Sequence, residues 1–263
     1  MSDPDGPVVP ARPRLLVLGG STEASELIRA IDSEASSVEV VLSYAGRTAT
    51  RTSPPKGVEV RVGGFGGTEG LANHLRSDGI SAMIDATHPF AARMPFHAAA
   101  ACRTVKVPLL RIVRPAWAPE PADRWIHVTT VDDAALAVQR LRAPRVLLTI
   151  GRQELRAFAE CEATFVARCI DQPETGVLPG ATILLARAPF TLEDELTVIR
   201  DHRIDLVVSK NAGGETTRAK LDAARQLGIP VIMIARPPAP PVDTVERVQD
   251  ALAWIAGRIG ALG

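Results

Sequence analysis

Ten short runs rich in Val, Ile and Leu recur along the chain in two sets of five, each run separated from the next by a loop or a helix-period segment. Runs of this length, apolar on both faces, suit strands buried in a parallel sheet and covered by crossover helices. The first set lies near 14–18, 38–43, 58–62, 80–85 and 107–113, the second near 145–150, 164–168, 181–185, 204–209 and 229–234. The two sets share wording: VPLLRIVRP at 107–115 matches IPVIMIARP at 229–237. A helical run follows each copy, with Val131, Ala134, Val138 and Leu141 in one and Val245, Val248, Leu252 and Ile255 in the other. The distance from Ile80 to Pro108 is 28 residues and that from Ile204 to Pro230 is 26. An old duplication of one α/β unit accounts for these likenesses, although a rhythm common to doubly wound units would also produce them.

The expected architecture is therefore α/β, with two similar Rossmann-like domains, each built on a mostly parallel sheet of five or six strands. The two face each other across a cleft at the carboxyl ends of the strands, where open α/β sheets bind ligands. Residues 1–12 are expected to be disordered, 13–115 to form the first domain, the proline-rich stretch 116–124 to act as a linker, and 125–263 to form the second domain. The likeness of the two strands ending in Arg-Pro leaves an exchange of C-terminal strands between the halves open.

Bulk properties narrow the partners. Thirty Lys and Arg balance thirty Asp and Glu, so no long-range field draws the chain to nucleic acid. No apolar run reaches the ~18 residues of a membrane span, and the N-terminus carries acids and prolines where a signal peptide has basic and then apolar residues. Cys102, Cys161 and Cys169 have neither paired nor zinc-like spacing and read as core thiols in a reducing cytoplasm. Cytoplasmic location and no bound metal are the expectations.

Chemistry should sit in the loops that follow strands. Gly19, Gly20, Ser21 and Thr22 join the first strand to a helix whose N-terminus suits a phosphate, although adjacent glycines and Ala24 depart from G-x-G-x-x-G. The second strand ends Leu42-Ser43-Tyr44-Ala45-Gly46-Arg47, without the acid that grips a ribose 2′-hydroxyl and with Arg47 and Arg51 following. That composition favours a 2′-phosphate, and so NADPH, with Ser43 and Arg47 as its partners. Gly63 to Gly67, including Gly64, Gly66 and Gly67, allow the cofactor close to the backbone. The loop Asp85-Ala86-Thr87-His88-Pro89-Phe90 gathers an acid, a hydroxyl and an imidazole, with His88 the candidate proton donor. His74, His97, His127 and His202 have no such company.

The second half offers Thr149-Ile150-Gly151-Arg152 after its first strand and Ser209-Lys210-Asn211-Ala212-Gly213-Gly214 after its fourth, with Thr216, Thr217 and Lys220 opening the next helix. Charge, amide and helix dipole together make this an anion site in expectation. Several classes are excluded. Tyr44 has Thr48 rather than Lys four residues on, there is no G-x-S-x-G or GxxxxGK motif, and no His, Cys and acid cluster has metal-ligand spacing.

Four segments, LLVLGGSTEASELIRAI (15–31), IDATHPFAARM (84–94), LLTIGRQELRAF (147–158) and VVSKNAGGETTRAKLDAARQLGIPVIMIARP (207–237), together resemble the precorrin-6A reductase family of cobalamin biosynthesis. The likeness runs from about residue 13 to 260. It implies NADPH-dependent reduction of one ring double bond of precorrin-6A to precorrin-6B, with no metal or flavin of the enzyme's own. A related branch acts on the cobalt-containing macrocycle, and the motifs do not separate the two. The resemblance also implies adjacent enzymes of the corrin pathway as partners. It places Gly19, Gly20, Ser21, Thr22, Ser43, Arg47, Gly64, Gly66 and Gly67 at the cofactor and Asp85, Thr87 and His88 at the reacting ring. Arg152, Ser209, Lys210, Asn211, Gly213, Gly214, Thr216 and Lys220 fall to the substrate's carboxylates. A reductase of another anionic substrate and a non-catalytic NADPH sensor are the competing readings.

Overall fold

The computed structural model describes residues 12–33, 38–46 and 56–259. The disorder expected of 1–12 falls, except for Arg12, outside these residues. All ten anticipated strands are present: β1 (Arg14–Leu18), β2 (Glu39–Tyr44), β3 (Glu59–Val62), β4 (Ile80–Asp85) and β5 (Leu109–Ile112) in the first half. The second half holds β7 (Arg145–Thr149), β8 (Thr164–Cys169), β9 (Thr182–Leu185), β10 (Leu206–Lys210) and β11 (Val231–Ile234). Two more were not anticipated, β6 (Trp125–Val128) and β12 (Thr244–Val245).

The strands form two six-stranded sheets, β12-β5-β4-β1-β2-β3 and β6-β11-β10-β7-β8-β9, and every recorded pairing is parallel. Read outward from its first strand, each sheet has the doubly wound order 3-2-1-4-5-6. The sixth strand comes from the other half of the chain in both. β6 follows β5 in sequence yet pairs with β11, and β12 follows β11 yet pairs with β5. The two halves have exchanged their last strand reciprocally.

Contacts accordingly divide the described residues into one unit up to Val113 together with Ala239 onward, and a second of Arg114–Pro238. This corrects the expectation that residues 125–263 form one domain, because the C-terminal segment completes the first sheet. The stretch 116–124 is likewise no free linker: Trp117 is buried, and its indole Nε1 donates to the Gly214 carbonyl at 3.1 Å.

In the first unit, α1 (Thr22–Ser33) and α7 (Val248–Ile259) cover one face of the sheet, burying Leu27, Ile28, Val248 and Ile255 against Leu15, Val17 and Ile84. Helices α2 (Gly67–Ser77) and α3 (Met94–Val105) cover the other, with Leu71, Leu75 and Ala98 against Leu16, Leu18 and Met83. Strands sandwiched this way must be apolar on both faces, which is why their sequences run rather than alternate. In the second unit α5 (Leu192–Asp201) packs with α6 (Ala219–Gln226), and α4 (Val131–Leu141) with the 3-10 segment Arg152–Phe158. Capping boxes start α4 (Thr130 with Asp133) and α5 (Thr191 with Asp194), pairing backbone N–H groups that the helix leaves open.

Candidate active site

In a doubly wound sheet the ligand crevice opens where the chain first reverses its direction of winding, here between β1 and β4. The two loops singled out in the first half meet at that point. Ser21 Oγ donates to the Ala86 carbonyl at 2.8 Å, and the Ala86 amide donates to the Leu18 carbonyl at 3.0 Å. Ser21 Oγ also accepts from the Ala24 amide at 3.2 Å, so it caps α1 while pinning the β4 loop. Gly19 donates its amide to the Ser43 carbonyl at 2.9 Å. That amide continues the β-ladder and is not an open donor, and Ser21 is bound structurally as well. Gly20, at φ +130°, and Thr22 are exposed, and a Cβ built on Gly20 would come only within 3.9 Å of the His88 amide nitrogen. Open backbone at a positive φ is what a closely approaching ligand requires of glycine.

Asp85 is buried rather than poised for proton transfer. Its Oδ1 accepts from the Thr87 amide (3.0 Å) and hydroxyl (2.6 Å), and its Oδ2 accepts from Arg111 Nε at 2.9 Å, opposite it on β5. Asp85 and Thr87 therefore hold the loop, and His88 is the group they place. The Phe90 amide donates to His88 Nδ1 at 3.2 Å, which puts the proton of the neutral imidazole on Nε2.

Ser43 is buried at the carboxyl end of β2, and its hydroxyl accepts from Arg61 Nη1 at 3.4 Å. Arg47 lies outside the described residues. A Cβ on Gly63, Gly64, Gly66 or Gly67 would meet nothing within 4 Å, so this loop presents bare backbone.

The second unit sorts its candidates differently. Lys210 pairs with Glu154, and Arg152 donates to the Gln172 carbonyl at 3.0 Å and lies 3.9 Å from Asp171. Thr216 is exposed. Ser209 is buried and its hydroxyl donates to the Lys210 carbonyl at 3.3 Å. Asn211 spends its side-chain amide on the backbone of Trp117, accepting at 2.8 Å and donating at 3.1 Å. Gly213 and Gly214 are shaped by their neighbours, since a Cβ would lie 1.9 Å from the Pro115 carbonyl oxygen in one and 3.0 Å from Arg114 Cδ in the other. Ser209, Asn211 and Lys220 thus each spend at least one side-chain bond on the backbone of their own unit. A neighbouring groove of about 440 Å³ between Trp117 and Arg218 is charge-balanced, because Arg114 and Arg218 line it together with Glu120 and Glu215.

Arg111, Arg114 and Arg236 are among the arginines that escaped the reading of the sequence. Arg111 sits inside an apolar run, with nothing local to mark it. Arg114 and Arg236 are the arginines of the two Arg-Pro copies. Arg114 Nε donates to the Ala212 and Gly213 carbonyls at 2.8 and 3.1 Å, and Arg236 donates to those of Asn211, Ala212 and Arg114 at 2.9, 3.0 and 2.9 Å. The duplicated motif was the signal; both copies secure the β10 loop.

Lys220 is buried, donates to the Thr217 carbonyl at 2.6 Å and lies 4.6 Å over the Trp117 ring. Burial, with Arg168 and Arg114 adding repulsion against the pull of Glu195, brings its ammonium from 10.5 down to about 7. Between those values the unfolded chain holds a proton that the folded chain has released, so stability rises with pH across that window. Thermal unfolding should shift upward from pH 7 to 10, and Lys220→Met should flatten the profile. A wild-type slope that Lys220→Met leaves unaltered would mean that another group sets it.

The comparisons with known proteins point one way. The family model described as "Precorrin-6x reductase CbiJ/CobK" matches residues 14–256. The chain belongs to that family. The precorrin-6A reductase of Rhodococcus erythropolis is 47% identical over 244 residues, covering 92% of this chain and 97% of that one. That of Rhodobacter capsulatus is 43% identical over 245 residues, covering 92% and 96%. A solved structure, "CobK precorrin-6A reductase", superposes with a TM-score of 0.87 at 43% identity, covering 94% of this chain and 97% of that chain. The family is one of reductases, and the two six-stranded α/β sheets are its fold.

Proposed function

We propose that the chain reduces one ring double bond of precorrin-6A to give precorrin-6B, with NADPH as reductant, in the cytoplasmic stage of cobalamin biosynthesis. The names of relatives 43–47% identical along nearly their whole length support the substrate. The observation that carries the chemistry is the meeting of the Gly20 loop and the Asp85–His88 loop at the switch point of the first sheet.

The residues present suit a dinucleotide. Gly20 and the glycines from Gly63 to Gly67 offer uncovered backbone, and the second strand ends without an acid. When bound, the nicotinamide supplies the hydride. The chain's own part is to orient, to exclude water and to deliver a proton. Asp85, fixed by Arg111, holds Thr87, and the loop so held sets His88, whose Nε2 proton is the one to be transferred. In the second unit, Arg152 and Lys210, half-buried beside Asp171 and Glu154, and the exposed Thr216 are groups whose chemistry suits carboxylates.

Replacement of His88 by Ala tests the assignment. General acid catalysis typically contributes about 10²–10⁴-fold, so kcat for precorrin-6A should fall by that order while NADPH affinity changes little. Unchanged kcat would remove His88 from the mechanism.

A further inference from the structure

We infer that Arg61, on β3, is the residue that reads the 2′-phosphate of the dinucleotide and so sets the preference for NADPH over NADH. The inference rests on the reading above that the first unit binds a nicotinamide dinucleotide.

Position comes first. In this fold the group that discriminates the adenosine ribose stands at the carboxyl end of the second strand. Ser43 occupies that end, and Arg61 is its register partner on β3, bringing a guanidinium to within 3.4 Å of the Ser43 hydroxyl. The side chain is also held in place. Nη1 donates to the Gly63 carbonyl and Nη2 to the Gly64 carbonyl, both at 2.7 Å, and the guanidinium carbon lies 3.8 Å from the centroid of the Phe65 ring. Those bonds, with the one to Ser43, leave the Nε hydrogen and one Nη2 hydrogen unspent among the described residues. Two fixed N–H groups on one planar cation suit a phosphate.

Among the described residues the charge is uncompensated. Arg14, Arg111 and Arg168, the other strand arginines with tight ion pairs, meet Glu59, Asp85 and Glu195 at 2.5, 2.9 and 2.8 Å. Glu59, the acid on the same strand as Arg61, is thus turned to Arg14 at the amino end. Among the described residues no carboxylate pairs with Arg61. A fixed, partly buried cation beside open glycine backbone, without a counterion, calls for an anion, and a phosphomonoester on the ribose supplies one there.

Calorimetric binding separates this from the underlying reading. The probes are NADP⁺ against NAD⁺, and 2′,5′-ADP against 5′-AMP, which differ only in the 2′-phosphate. Losing charge-assisted bonds to one phosphate corresponds to roughly 10- to 100-fold in affinity. Arg61→Gln, which can still bond the glycine loop, should weaken NADP⁺ and 2′,5′-ADP by that factor and leave NAD⁺ and 5′-AMP unaltered. Arg61→Ala should lower the same ratios, whatever the loop loses in common for all four ligands. If both variants keep the wild-type ratios, or if the wild type has no preference for the 2′-phosphate, the role of Arg61 is overturned while dinucleotide binding stands. A wild-type protein that binds neither NADP⁺ nor NAD⁺ overturns the dinucleotide reading itself, and Arg61's role with it.

Discussion

Gly213→Ala is expected to leave little folded protein. The residue sits at φ +70°, where a side chain is strained, and its Cβ would lie 1.9 Å from the Pro115 carbonyl oxygen and 2.8 Å from Arg236 Nη2. Backbone cannot step aside as a flexible side chain can, and here the crowding carbonyl belongs to the segment tied to Asn211 through Trp117. The loop can take a methyl only by giving up bonds from Arg114, Arg236 and Trp117 together. Steric strain with loss of a buried network belongs to the class of substitutions that cost more than about 4 kcal/mol. Soluble yield and the urea midpoint measure it. A variant within about 1 kcal/mol of wild type, close to the ordinary effect of a point substitution, would show that the loop is far more yielding than described. Gly64→Ala, whose Cβ meets nothing within 4 Å, is the control expected to fold normally.

Arg111→Met carries the second large effect. Asp85 and Arg111 form a buried ion pair in which the carboxylate also accepts two bonds from Thr87. Removing the cation alone strands a buried carboxylate, a change that typically costs about 3–5 kcal/mol. Asp85→Asn combined with Arg111→Met should cost less than the two single changes added together, because the pair is coupled. Chemical denaturation of the four proteins reads this directly. Additive losses would mean that water, not Arg111, compensates Asp85. Turnover should fall in Arg111→Met as well, since the loop that sets His88 hangs on Asp85.

Most of the fold was legible because burial on both faces writes long apolar runs into β1, β4, β7, β10 and β11. The two strands that escaped, β6 and β12, lie at sheet edges; β12 has only two residues, and β6 breaks its apolar run with His127. Their exchange was illegible for a different reason. β5 and β11 are near copies, so local sequence cannot tell β12 which of them to join; the whole first unit decides that. At the site, Gly20 and His88 were found because a loop after a buried strand is where polar residues stand out. Internal bonding was not legible: Ser209, Asn211 and Lys220 look like ligand groups in a string of letters, and the sequence does not show that each also bonds backbone nearby. Arg61 was passed over because it alternates with Val60 and Val62 as an ordinary edge-strand polar residue would.

This chain is proposed to transfer a hydride from NADPH to the macrocycle rather than merely to bind the dinucleotide. Nicotinamide absorbance followed after mixing enzyme, NADPH and precorrin-6A, with NADH and with the cobalt-containing macrocycle in parallel, tests it most directly. The expected result is oxidation of one NADPH per precorrin-6A reduced, dependent on the macrocycle and slower with NADH. Binding of NADPH without its consumption when precorrin-6A is added would contradict the account.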